Sequence, residues 1–97
     1  MAGTAPLVFI TGASSGIGQA LALRYHQAGY ALALVARRTE EIERWRAEQG
    51  LDPARAVVYG ADVAEPDSII AAASACLERQ GLPDVVIANA EIGRAHV

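Results

Sequence analysis

Gly12-Ala13-Ser14-Ser15-Gly16-Ile17-Gly18 packs three glycines and two hydroxyls into seven positions, directly after an apolar run and at the opening of a helical pattern. That placement suits an anion. Backbone N–H groups at a helix start, backed by the helix dipole, attract phosphate. Each glycine has a separate use in a dinucleotide loop: Gly12 for the tight turn, Gly16 for close approach of a pyrophosphate, Gly18 for close helix–sheet packing. The Ser14 and Ser15 hydroxyls can add hydrogen bonds to phosphate or ribose. The three-residue gap comes first, unlike Gly-x-Gly-x-x-Gly, and no Gly-Lys-Ser/Thr ending of a P-loop is present.

A second chemical signal is Arg37-Arg38. About 20 positions beyond such a glycine loop, an NAD site places a carboxylate on the ribose 2′-hydroxyl. Here that region reads Ala36-Arg37-Arg38, with no carboxylate until Glu40. A carboxylate repels a 2′-phosphate, whereas a guanidinium holds it through paired, charge-assisted hydrogen bonds. Arg37 is therefore the first candidate for that phosphate and Arg38 the second, which favours NADP(H) over NAD(H). The bland reading is two solvated loop arginines.

Alternating elements must position these residues. Leu7 to Thr11, Ala31 to Ala36, Ala56 to Gly60 and Asp84 to Ala88 read as short buried strands. Between them, Ile17, Leu21, Tyr25 and Ala28 mark a first helix closed by Gly29. Thr39 suits the cap of a second helix, with Glu40 and Glu41 in its first turn and an end near Gly50. Pro66 suits the first position of a third, with Ile69, Ala73, Cys76 and Leu77 as its apolar face and Gly81 as its stop. Strands alternating with helices imply an α/β fold with a parallel sheet and right-handed crossovers. The expected sheet order is 3-2-1-4, with the first two helices on one face and the third on the other, a truncated doubly wound Rossmann-type sheet.

Composition sets the outer bounds. The 97 residues, 53% hydrophobic and 20% charged, suit one small globular domain. Its eight basic residues are all Arg and scattered, so nothing suggests nucleic acid. No apolar run approaches a membrane span. Cys76 has no internal disulfide partner, and the first residues lack signal-peptide features, so the expected location is cytoplasmic. His26 has no companion at metal spacing, and Cys76 and Trp45 read as packing.

Thr11-Gly-Ala-Ser-Ser-Gly-Ile-Gly18 resembles the Thr-Gly-x-x-x-Gly-x-Gly loop of the short-chain dehydrogenase/reductase family. Asp62-Val63 resembles that family's Asp-Val pair, and Asn89-Ala90 the start of its Asn-Ala-Gly motif. The resemblance runs from Leu7 to Ala90. It implies a cofactor contacted by Gly12, Ser14, Ser15, Gly16, Ile17 and Gly18, with Arg37 or Arg38 at the 2′-phosphate. It further implies Asp62 at the adenine amino group beside Val63, and Asn89 and Ala90 steadying the sheet next to the cofactor. An Arg directly after the second strand goes with NADP(H) in the family.

The resemblance also implies hydride transfer to or from a small alcohol or carbonyl substrate by an intact homo-oligomeric enzyme. The family's chemistry rests on a Tyr with a Lys four residues later, because a nearby cation brings Tyr into working range. Here Tyr25, Tyr30 and Tyr59 are followed at that distance by Gly29, Leu34 and Val63, and the chain has no Lys. No catalytic residue is therefore expected within these 97 positions, and residues 1–90 are expected to be the front part of a cofactor-binding domain. Position 91 is Glu where the motif continues with Gly. Residues 91–97 resemble the translation of a sequencing-library adapter and are expected to be a non-native tail. A non-catalytic nucleotide-sensing module is the alternative from another class. A nucleoside-sugar epimerase is a lesser one, since its loop is Gly-x-x-Gly-x-x-Gly and it usually carries the acidic residue missing here.

Overall fold

The computed structural model describes residues 5–89, so Ala90 and the expected tail at 91–97 lie outside the described residues. Four strands and three helices alternate. They are β1 (Leu7–Thr11), α1 (Gly16–Gln27), β2 (Ala31–Ala36), α2 (Thr39–Glu48), β3 (Ala56–Gly60), α3 (Pro66–Arg79) and β4 (Val85–Ala88). All pairings are parallel, and the order is β3-β2-β1-β4, as expected for the Rossmann-type sheet.

Every residue of β1 is buried, and β2 is buried from Leu32 onward, which is why both read as unbroken apolar runs. Alternate residues serve opposite faces. Val8, Ile10, Leu32 and Leu34 pack with Ala22 of α1 and Ile42 and Trp45 of α2. Leu7, Phe9, Ala33, Val35, Val57 and Tyr59 pack with Ala72 and Cys76 of α3. Two helices thus cover one face and one covers the other. A fully buried Leu, Ile or Val contributes about 1.5–3 kcal/mol, so this central pair of strands anchors the domain.

Several details depart from the sequence pattern. Thr39 is not the cap of α2. Extended backbone persists only to Arg38, which is the N-cap and makes no side-chain capping bond. The inward stripe of α3 is Ile69, Ala72 and Cys76, with Ala75 alongside, while Ala73 is exposed and Leu77 is 53% exposed. One residue is ~100° of helix rotation, so a stripe centred on Cys76 turns Leu77 toward water. Ile17 likewise leaves the inward face of α1, because Gly18 and Ala22, four apart, set its buried line. Strand β4 starts one residue late. Asp84 clamps its entry instead, donating its amide to Leu7 O at 2.8 Å and accepting the Leu7 amide on its carboxylate at 2.8 Å.

Candidate cofactor-binding site

In parallel sheets of this kind, ligands gather beyond the carboxyl ends of the strands, where successive connections leave in opposite directions. That point lies between β1 and β4, because β1 leads to β2 through α1 on one face and β4 is reached through α3 on the other. Thr11 pairs with Ala88 across the two strands, so the glycine loop and Asn89 emerge side by side. Arg37 follows β2 and Asp62 lies just past β3 at the same end of the sheet. The Ala13 amide donates to Val35 O at 3.0 Å, and the Ala61 amide to Ala36 O at 3.1 Å, which ties the three loops together.

Glycine geometry shapes the loop. Gly12 has φ 67°, the left-handed conformation that a side chain disfavours. A Cβ on Gly18 would collide with Gly12 O and lie 3.1 Å from Asn89 Nδ2, so only glycine lets α1 sit this close. A Cβ on Gly16 would meet nothing within 4 Å. Open space therefore adjoins the start of α1.

The loop's donors divide into two sets. The Ser15 amide donates to Gly12 O at 3.1 Å, and the Gly18 amide to Ser15 Oγ at 3.0 Å. The Ser15 hydroxyl donates to Gly12 O at 2.9 Å, and Asn89 Nδ2 donates to Gly12 O at 3.2 Å and Ser15 Oγ at 2.8 Å. No hydrogen bond among the described residues takes up the amides of Ser14, Gly16 or Ile17, or the Ser14 hydroxyl. Three amides and a hydroxyl at a helix N-terminus, with the open side at Gly16, form a donor set that fits a diphosphate. Ser15, named above as a hydroxyl donor to phosphate or ribose, has that donor engaged within the loop.

The remaining candidates line the same end. Arg37 and Arg38 are exposed, and among the described residues neither guanidinium has a hydrogen bond or ion pair. Asp62 is half-buried; its Oδ1 accepts the Ala64 amide at 3.0 Å, and its own amide donates to Ser68 Oγ at 2.9 Å. That pairing fixes the turn after β3 and leaves the second carboxylate oxygen without a partner among the described residues. Val63 is half-buried beside it, and Ile17, 68% exposed, borders the open side of the loop.

Two contributors carry no signal in the sequence. Gln19 Nε2 donates to Ser14 O at 3.3 Å and holds the loop's outer bend. Gly60 admits the Thr39 methyl, which would be 3.1 Å from a Cβ there, so the start of α2 sits against the end of β3 beside Arg38. Both depend on contacts between segments remote from any motif spacing.

A family model described as short chain dehydrogenase matches residues 6–97. The chain belongs to the short-chain dehydrogenase family. Among its relatives, the dehydrogenase/reductase SDR family protein 7-like of Drosophila melanogaster is 39% identical over 90 residues, covering 89% of this chain and 28% of that protein. The alcohol dehydrogenase of the archaeon Thermococcus sibiricus, solved in complex with 5-hydroxy-NADP, superposes with a TM-score of 0.78 at 39% identity, over 91% of this chain and 38% of that one. The 3-ketoacyl-(acyl-carrier-protein) reductase of Brucella melitensis, solved with NADH, gives 0.74 at 31% identity, over 84% and 32%. This short-chain dehydrogenase chain thus spans well under half the length of the proteins it resembles.

Within the family fold, the residues at this end of the sheet are the ones that could hold a cofactor. The Ser14, Gly16 and Ile17 amides would hold the diphosphate, Asp62 and Val63 would flank the adenine, and Arg37 and Arg38 would flank the adenosine ribose. A nicotinamide cofactor supplies hydride chemistry when bound. Tyr59 plays no part here. It is buried among Val57, Ala72 and Cys76, and its pKa is pushed up to about 12 by burial and then by Cys76. Among the described residues no group of His, Cys, Asp or Glu could hold a metal ion, and no helix is long and apolar enough to cross a membrane.

Proposed function

We propose that this chain is the NADP(H)-binding front part of an oxidoreductase that moves a hydride between the cofactor and a small alcohol or carbonyl substrate. One observation carries the cofactor choice. The end of β2, where an NAD site keeps a carboxylate, holds two exposed guanidinium groups without partners among the described residues. Placed over the adenosine ribose, Arg37 would pair with the 2′-phosphate through two parallel hydrogen bonds, and Arg38 would add charge. The relatives solved with 5-hydroxy-NADP and with NADH support a nicotinamide cofactor of either kind, so the preference rests on Arg37 and Arg38.

The proton-transfer residues of such a reaction belong to a segment beyond these 97 positions on this reading, because the chain has no Lys to pair with a Tyr. The same reading makes the intact protein a cytoplasmic homo-oligomer. Its test is a titration of the chain with NADP(H) and NAD(H). NADP(H) should bind more tightly. Arg37→Ala should weaken NADP(H) by about tenfold, the worth of one charge-assisted pair, and leave NAD(H) unchanged. Equal affinities in the parent chain, or an unchanged NADP(H) affinity in the variant, would remove the assignment.

A further inference from the structure

Ser15 has one hydroxyl proton and two lone pairs, and the loop uses all three. Its proton goes to Gly12 O at 2.9 Å, and its lone pairs take the Gly18 amide at 3.0 Å and Asn89 Nδ2 at 2.8 Å. Its backbone amide is engaged too, on Gly12 O. The orientation of Asn89 is fixed by the same geometry. Gly12 O can only accept, so the atom 3.2 Å away must be the amide nitrogen. Nothing on Ser15 is left to donate to a ligand. Yet its neighbours on the helix side, Gly16 and Ile17, carry the amides that no described residue takes up.

We propose that Ser15 is a positioning residue for the diphosphate. Its saturated hydroxyl locks the first turn of α1 to the ends of β1 and β4 and so fixes the direction of the Gly16 and Ile17 amides. The lock spans 74 residues of sequence, from Ser15 to Asn89. It therefore ties the cradle to the last strand of the sheet rather than to its own helix alone. Without the hydroxyl, Gly18 N and one Asn89 hydrogen lose their acceptor, and the first turn is free to fray. The Arg37 and Arg38 side chains, at the adenosine end of the site, have no hydrogen bond to this network among the described residues; their loop meets it through backbone, the Ala13 amide on Val35 O. The proposal rests on the dinucleotide reading above.

The test compares two ligands in the full chain by NMR titration: NADP+, which carries the diphosphate, and adenosine 2′-monophosphate, which does not. Ser15→Ala should weaken NADP+ by about tenfold and change adenosine 2′-monophosphate less than about twofold. The Gly16 and Ile17 amide resonances should lose their NADP+-induced shifts. Ser15→Thr, which keeps the hydroxyl, should bind NADP+ within about threefold of the parent. Asn89→Ala, approaching the lock from the other side, should lose NADP+ selectively as Ser15→Ala does. An unchanged NADP+ affinity in Ser15→Ala, an equal loss of both ligands, unfolding of that variant, or a threonine as damaging as alanine would each overturn the proposal. If the parent chain itself fails to bind NADP+, the dinucleotide reading falls and this inference with it. If the parent binds and only the variant pattern fails, the inference alone is lost.

Discussion

Single glycines in this loop have opposite liabilities. Gly18 is packed, and an added methyl would collide with Gly12 O, which is held by three donors and cannot give way. Gly18→Ala should lower unfolding free energy by about 2–3 kcal/mol, the range of overpacking in a tight site, as read by urea denaturation. Gly16 faces open space and is the first residue of α1. Gly16→Ala should keep its stability within about 1 kcal/mol of the parent, or gain slightly from helix propensity, while losing dinucleotide affinity. A Gly16→Ala chain that binds as the parent does would show that the open space is not where the diphosphate lies. Their places in the loop pattern already distinguished the two glycines; the tertiary structure adds that backbone at Gly12 is what crowds Gly18.

At the scale of elements, α3 is fastened by a polar knot as well as by apolar packing. Tyr59 of β3 donates its hydroxyl to Gln80 Oε1 at 2.9 Å, and Gln80 Nε2 donates to Leu32 O at 3.0 Å. Burial raises the Tyr59 pKa from 10.0 to about 12, with Cys76 adding to it, and burial raises the Cys76 thiol as well. The unfolded chain therefore releases the tyrosine proton first. This contribution to stability is fully present below pH 10 and is lost as pH rises to about 12. Tyr59→Phe should cost about 1 kcal/mol at neutral pH and flatten that alkaline decline in a denaturation series run across it. A decline as steep in the variant would assign the loss to other groups. The strands and the helix count were legible in the sequence because buried runs and glycine stops are local signals. The rotation of α3 was not, because Leu77 and Ala73 are as apolar as the residues that pack, and only the sheet selects among them.

For the molecule as a whole, the two faces of the sheet are unequally covered at β4. Val85 and Ile87 pack on the α1 side, while Val86, register partner of the buried Phe9, is 65% exposed on the α3 side. Among the described residues β4 pairs with β1 alone, so its outer edge offers unpaired backbone groups. The exposed Leu77 and Leu82 add apolar surface to the molecule. The 97-residue chain should self-associate with rising concentration, as read by light scattering. Val86→Lys should raise the onset concentration several-fold without lowering the unfolding midpoint, since it places a charge on an exposed edge strand. An onset unmoved by that charge would place the sticky surface elsewhere.

The amino-acid order alone determined the parallel α/β architecture and the place of the glycine loop at the end of β1. Those follow from local periodicity, from glycine spacing and from the few ways a right-handed alternation can close. It also marked Arg37 and Arg38, because a missing carboxylate is visible without coordinates. The tertiary structure decided how the loop's donors are shared. Ser14 and Ser15 are chemically identical in the chain, yet Asn89, 74 positions away, occupies the hydroxyl of one and leaves the other open. Hydrogen-bond capacity is finite, and which group exhausts it depends on what folding brings alongside.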